Sequence, residues 1–379
     1  MSAQNANLLI VAGEPSGDLQ ASLLVRAFWK IAPDVHFWGI GGEKMRDAGV
    51  ETVVDIGELA VMGLLDVVRH IPRLQATMSG LLHLAEMRKP RGAILVDYPG
   101  FNLSLAQKLK RRRFAVGYYI SPQFWAWGER RIEKVRRFVD QMVCVLPFEK
   151  EFYARHGIEV AQVSHPFVDI VAPELDEPEF RKNAGIAGDF ILLMPGSRHK
   201  EVVRLLPKML DVYDILREEH PDISAFIAAA EGVIGDIARL VPKSREIVVV
   251  AGLNYSAMRY AKAGIIASGS ATLEALISNL PSVVVYRVDP LTWAIGRNLI
   301  RAPHIALANL VAGKRIFPEM IQNINVGELA RIVEGLIYDD ELRARMINDS
   351  GLAREKLGCG GGAKDAADIF ARLFACYAH

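Results

Sequence analysis

The stretch AILVDYPGFN, residues 93–102, decides the fold. Four apolar residues run into Asp97, and Pro99 and Gly100 then turn the chain. A short apolar run that empties into a turn reads as a strand buried on both faces, as in a parallel sheet. In open α/β sheets ligands collect beyond the carboxyl ends of the strands. Asp97 stands at such an end, either as a turn cap or as a group that takes a proton.

Outward from this stretch the pattern recurs. LLIVAG (8–13), VHFWGIGG (35–42), FAVGYYISP (114–122) and QMVCVLP (141–147) are apolar runs stopped by glycine or proline. Segments of helical period, such as LSLAQKLKRRR and RRIEKVRRFVD, lie between them. Residues 171–190 hold two prolines and many charges and read as a linker with a short helix. The alternation then restarts with FILLMPGSR (190–198), ISAFIAAA (223–230), EIVVVAG (246–252), GIIASGS (264–270) and PSVVVYR (281–287). Strands alternating with longer amphipathic segments predict an α/β fold: two Rossmann-like, doubly wound parallel-sheet domains facing a cleft. The chain, at 379 residues, exceeds the usual size of one core. The expected domains are 1–170 and 171–345, followed by a helical segment, 346–379.

Bulk composition excludes several classes. Apolar residues make up 51% and charged residues 23%, which suits a folded chain and not a disordered one. Lys+Arg is 45 against 44 for Asp+Glu, so nothing in the net charge calls for nucleic acid. Cys144, Cys359 and Cys376 show no metal or disulfide spacing, and the histidines show no ligand spacing. The start MSAQNANLLIVAGEP lacks the pattern of a signal peptide, and no apolar run is long enough to span a bilayer. A cytoplasmic protein with neither metal nor cofactor is the expectation.

Three turns carry chemical content. AGEPSGD (12–18) joins a strand to a helix; Gly13 and Gly17 allow a close turn, Ser16 or Asp18 could cap the helix, and its free N–H groups could face a sugar or an anion. MPGSRHKE (194–201) has the same topology in the second half. There Gly196, Ser197 and Arg198 lead a helix and suit a diphosphate, or simply cap it. ASGSATLEAL (267–276) offers consecutive N–H groups and hydroxyls from Ser268, Gly269, Ser270, Ala271 and Thr272. Glu274 lies in the first turn, as a dipole partner or as an acceptor for ribose hydroxyls. His165, in SHP (164–166), is a lone histidine near the domain seam. The segment 56–87 clusters Val61, Met62, Leu64, Leu65, Val67 and Val68 ahead of Arg69, His70 and Arg73. It reads as a core helix or as a membrane-surface or acyl-chain segment. Two basic clusters, at 108–113 and 130–137, suit an anionic bilayer or a solvated face.

Eight motifs, in order and spread over nearly the whole chain, resemble the lipid-A-disaccharide synthases. They are AGEPSGD, VDYPGFN, YISPQFWAWGERR (119–131), DQMVCVLPFEKEFY (140–153), SHPFVD (164–169), MPGSRHKEV (194–202), SGSATLEAL (268–276) and APHIALANLVAGKRIFPEMIQ (302–322). The resemblance implies an inverting glycosyltransferase of the two-domain GT-B type, working without a metal. It would move 2,3-diacylglucosamine from its UDP-activated form to 2,3-diacylglucosamine 1-phosphate, forming a β-1,6 disaccharide and UDP. It implies a first domain for the acceptor, with Asp97 near the acceptor hydroxyl, and a second domain for UDP. Arg198 and the SGSATLE turn would then face the diphosphate and Glu274 the ribose. Asn309, Glu319 and Gln322 would line the nucleotide-sugar site, with Gly13, Ser16, Gly17 and His165 on the substrate side too. The last helix would pack back on the first domain, and the enzyme would sit at the cytoplasmic face of the inner membrane. The pattern is compatible with a homodimer and does not require one.

The chain departs from the family at Ser164, where glycine is commoner, at Ser270, where threonine is, and at Gly100, where many members carry aspartate. With glycine there, Asp97 is the carboxylate of this loop to test. Other readings are a GT-B transferase or epimerase on a soluble UDP-sugar, and a non-catalytic UDP-sugar or lipid binder.

Overall fold

A computed structural model describes residues 7–59, 64–126, 128–242, 245, 247–296 and 302–376. The chain forms two compact units: 1–166 with 358–379, and 167–357. The boundaries thus fall at 166/167 and 357/358, where 170/171 and 345/346 were expected. Helix Asp340–Glu355 belongs to the second unit, and the return to the first begins at Gly358.

The first unit is built on seven strands: β1 (Asn7–Ala12), β2 (His36–Gly41), β3 (Glu51–Asp55), β4 (Gly92–Val96), β5 (Ala115–Tyr119), β6 (Gln141–Cys144) and β7 (Ala161–Gln162). Their order is β3-β2-β1-β4-β5-β6-β7, and every pairing is parallel. The order reverses direction between β1 and β4, which pair from Leu9↔Ala93 to Ala12↔Val96. β4 and β5 are buried throughout, which explains their unbroken apolar runs. β3 and β7 were not expected: ETVVD is a half-buried edge and AQ is two residues long, so neither carries an apolar run.

The second unit has six parallel strands: β8 (Phe190–Met194), β9 (Ser224–Ala228), β10 (Val248–Val250), β11 (Ala263–Ala267), β12 (Ser282–Tyr286) and β13 (Glu319–Ile321). Their order is β10-β9-β8-β11-β12-β13, with the reversal between β8 and β11. Both units are therefore doubly wound parallel sheets, as the alternating pattern predicted. Residues 171–190 are part of the second unit, with Asp176 capping helix Glu177–Ala184 through the Glu179 N–H.

Two features tie down the chain in the first unit. Helix Gly362–Cys376 inserts Phe374 and Phe370 against Gly92 of β4 and Gly117 of β5, where any Cβ would collide with a ring. A Cβ at Gly358 would collide with the Ser164 side chain and one at Gly362 with the Ser164 backbone carbonyl, so the extra bulk of that serine rests against the returning chain at Gly358. In the 56–87 segment, residues 60–63 lie outside the described structure, as do the side chains of 59 and 64–70. The part of helix Leu64–Arg88 that is described buries Met78, Leu81, Leu82 and Ala85, the spacing of a core helix. Arg73 pairs with Glu58 at the surface. Much of the two basic clusters is paired: Lys110 with Asp140, Arg112 with Glu86, and Arg136 and Arg137 with Glu133. No described helix is long and apolar enough to cross a membrane.

Candidate active site

In each sheet the loops of interest leave the two strands that flank the reversal. In the first unit these are AGEPSGD after β1 and DYPGFN after β4. Asp97 and Tyr98 both have left-handed backbones, with φ of 45° and 47°. Two such non-glycine residues in succession store strain, which persists only where the surroundings enforce it. The Asp97 N–H donates to the Tyr119 carbonyl at 3.0 Å. Its carbonyl accepts from the Tyr118 hydroxyl at 2.5 Å and the Asn102 amide at 2.8 Å. Asn102 is fully buried, and its amide also reaches the carbonyls of Val96 and Val11, at 3.1 and 3.4 Å, joining the ends of β4 and β1. Arg131 donates to the Pro99 carbonyl at 3.2 Å and lies over the Phe124 ring. Pro99 then opens helix Pro99–Arg111. The Asp97 turn is thus held by its backbone, while the carboxylate remains only half-buried at the strand end. Gly100 points into open space, so its lack of a side chain is not forced sterically.

Gly13 meets this turn directly: a Cβ there would collide with the Tyr98 ring. At Gly17, on helix Pro15–Ile31, a Cβ would make only ordinary contacts with Ala12 and Val96, so packing there does not require glycine. Asp18 does not cap that helix, which has no side-chain cap at Glu14. It sits inside the first turn and accepts instead from the N–H groups of Gly42, Lys44 and Met45, capping helix Glu43–Asp47. Ser16 is half-buried on the first turn. His165 is 4% exposed, and burial pushes its imidazole down to about 3, so it stays neutral.

In the second unit, Gly196 has φ +108° and leaves room for Glu201, whose carboxylate reaches back over the turn. It accepts from the Ser197 N–H at 3.1 Å and from the Arg198 guanidinium at 3.0 Å, tying the turn to the start of helix His199–Glu219. The loop after β11 holds Ser268, Gly269 and Ser270. The Ser268 hydroxyl donates to Ile305, and Thr272 donates to Gly269 and accepts from Ala308. Ala271 begins the seven-residue helix Ala271–Ile277. Burial pushes the Glu274 carboxyl up to about 6, against a hydrogen bond from the Tyr255 hydroxyl at 3.1 Å.

The remaining three residues are hydrogen-bonded within the protein. Asn309 is fully buried. Its amide donates to Phe317 and Glu319, both at 2.8 Å, and its oxygen accepts from the N–H groups of Ile316 and Phe317. All four of its hydrogen-bonding positions are used inside the protein. Glu319 accepts from Ile305 and Ala306 and so caps helix Leu307–Ala312. Gln322 has φ +63°, and its amide pairs both ways with the Val288 backbone. These residues brace the 302–322 loop beside the SGSATLE turn. It is a property of long-range hydrogen bonding that spacing does not report. Asn102, Tyr118, Arg131 and Glu201 were likewise not singled out as site residues; only Glu201 had a local signal, as a carboxylate at the third residue of its helix.

Comparison with known proteins matches this geometry to a family. The family model described as "Lipid-A-disaccharide synthetase" matches residues 8–349. Curated relatives named lipid-A-disaccharide synthase include that of Geobacter metallireducens, 40% identical with 97% of each chain covered. That of Myxococcus xanthus is 37% identical, again with 97% of each chain covered. Among solved structures, the UDP-GlcNAc 2-epimerase of Methanocaldococcus jannaschii, in complex with UDP-GlcNAc and UDP, aligns with a TM-score of 0.63 at 13% identity, covering 97% of this chain and 99% of that one. The glycotransferase of kitacinnamycin also aligns at 0.63 and 13% identity, over 98% and 99%. These distant structures share the two-domain GT-B fold, and the sequence match adds the rest: the chain belongs to the lipid-A-disaccharide synthase family.

Proposed function

We propose that this glycosyltransferase moves a 2,3-diacylglucosamine unit from its UDP-activated form to 2,3-diacylglucosamine 1-phosphate, with Asp97 as general base. Asp97 takes the proton of the acceptor 6-hydroxyl. That oxygen forms a bond to the sugar anomeric carbon while the bond to UDP breaks, the electron pair leaving with the diphosphate. Displacement from the far side inverts the centre and yields the β-1,6 disaccharide. The observation that carries this reading is the strained Asp97–Tyr98 turn at the sheet reversal in a member of this family. A carboxylate held at that place is suited to general-base work.

In this reading the second unit holds the donor. Arg198, with the N–H groups of Ser197 and of the SGSATLE turn, offsets the charge that develops on the leaving diphosphate. Glu274 accepts from the ribose hydroxyls, and Asn309, Glu319 and Gln322 act by holding the neighbouring loop. The acceptor lies on the first unit, among Gly13, Ser16, Gly17 and Asp97, with His165 contributing as a buried neutral support. A bilayer supplies both acylated substrates, so the protein works as a peripheral enzyme on the cytoplasmic face of the inner membrane. Segment 56–87 and the basic clusters at 108–113 and 130–137 make that contact. A homodimer is the assembly to look for in solution.

The test is UDP release from UDP-2,3-diacylglucosamine. Release should require the acceptor, and disaccharide should form in equal amount. Asp97→Asn should lower kcat by about 10²–10⁴-fold, the range of a lost general base. A near wild-type rate would remove Asp97 from that role. Release without acceptor, or with a soluble UDP-sugar alone, would favour the epimerase-like alternative that the fold also permits.

A further inference from the structure

We infer that Glu149 is a positioning residue for the acceptor side: its buried carboxylate locks the 121–126 loop and, through Phe124, Arg131 and Pro99, sets the Asp97 turn. The inference rests on the reading of Asp97 as the base. Glu149 opens helix Glu149–Arg155 and is 1% exposed. An ionised carboxylate so deep is costly unless several donors meet it. Here the N–H groups of Val145 and Leu146 reach one oxygen at 3.3 and 3.1 Å, and the Trp125 indole reaches the other at 3.3 Å. The Ser121 hydroxyl of that loop lies 3.0 Å from that of Tyr153, on the helix that Glu149 opens. Loop, β6 turn and helix therefore converge on one side chain. If stability alone were served, an apolar side chain of similar volume would fill the site at no greater cost.

The path from there is continuous. Trp125 stacks edge-on against Phe148, next to Glu149. Its neighbour Phe124 lies under the Arg131 guanidinium, and Arg131 holds the Pro99 carbonyl, two residues from Asp97. β5 lies beside β4, so the two loops leave adjacent strand ends. The titratable groups facing Glu149 are Cys144 on β6 and Tyr153 on its own helix, and burial keeps both protonated. Burial also pushes the Glu149 carboxyl up to about 7.

The experiment compares wild type, Glu149→Gln and Trp125→Phe with both substrates varied. Glu149→Gln should lower kcat/KM for the acceptor at least tenfold and leave the donor KM unchanged. Trp125→Phe, which removes one donor and keeps an aromatic ring, should do the same to a smaller extent. The Arg131→Ala and Glu149→Gln losses should be less than additive, as for one connected path. Equal losses toward both substrates, or a lowered melting temperature with unchanged kinetics, would overturn the inference. If Glu149→Gln does not fold, Trp125→Phe decides alone by the same acceptor-to-donor split. If wild type forms no disaccharide, the reading of Asp97 fails separately. Locking is then read by acrylamide quenching: Glu149→Gln should expose an indole that is absent from the Trp125→Phe background, and no change refutes the lock.

Discussion

In the proposed donor site a single carboxylate, that of Glu201, holds the groups assigned to the diphosphate. The Glu201 side chain takes the Ser197 N–H and the Arg198 fork, the very donors a diphosphate would use. A bound ligand must therefore displace it. Glu201→Gln keeps an acceptor for the cap and removes the competing charge, so UDP should bind several-fold more tightly. Isothermal titration with UDP checks this, and weaker binding would mean that Glu201 pre-orients Arg198 instead. Glu274 gives a pH signature at the same scale. Its carboxyl titrates at about 6 because burial disfavours the charge. If Glu274 takes the ribose hydroxyls as proposed, they donate to its ionised form, so UDP affinity should fall as pH drops from 7 to 5. Glu274→Gln should bind more weakly at pH 7 and lose that slope.

At the scale of elements, the close approach of β1 and β4 is set by side chains that are absent. Gly13 makes room for Tyr98, so Gly13→Ala must push the ring aside and disturb the Asp97 turn. Overpacking of this kind costs about 1–3 kcal/mol, and activity should fall with it; a thermal melt and the UDP-release assay read both. Helix Glu149–Arg155 adds a linkage effect. The Glu149 carboxyl binds its proton more tightly folded, at about 7, than at its ordinary 4.5. Its contribution is fully present below the lower value and is lost as pH rises through the upper one. The shift corresponds to about 3 kcal/mol at most. Denaturant midpoints should therefore decline between pH 5 and pH 8, and Glu149→Gln should flatten the decline.

For the molecule as a whole, the two units differ in how the chain builds them. The second is one continuous stretch, 167–357, whereas the first needs the tail. Phe370 and Phe374 are almost fully buried on β4 and β5. Each contributes about 1.5–3 kcal/mol by burial. A chain ending at Leu357 should lose the cooperative transition of the first unit and keep that of the second. Limited proteolysis should then leave a resistant fragment beginning near Phe167. Two surviving transitions would show that the tail is dispensable.

Much of this architecture was legible in the order of residues. Apolar runs ended by glycine or proline mark the central strands, because a strand covered on both faces must be apolar throughout. Asp97 directly follows such a run, and Arg198 and Glu274 lie at or in the first turn of the helix that follows one. Short edge strands such as β3, β7 and β13 escaped, since a half-covered or three-residue strand leaves no run to read. Tertiary structure alone decided the partners. Asp18 caps a helix that starts at Glu43, Asn309 spends its whole amide inside the 302–322 loop, and Glu149 gathers donors from the 121–126 loop and from the turn after β6. A buried polar group must find partners wherever the folded chain brings them. Local pattern sets which segments are strands and helices; the cost of desolvation, resolved only once they pack, sets which polar residues face a substrate and which hold the scaffold.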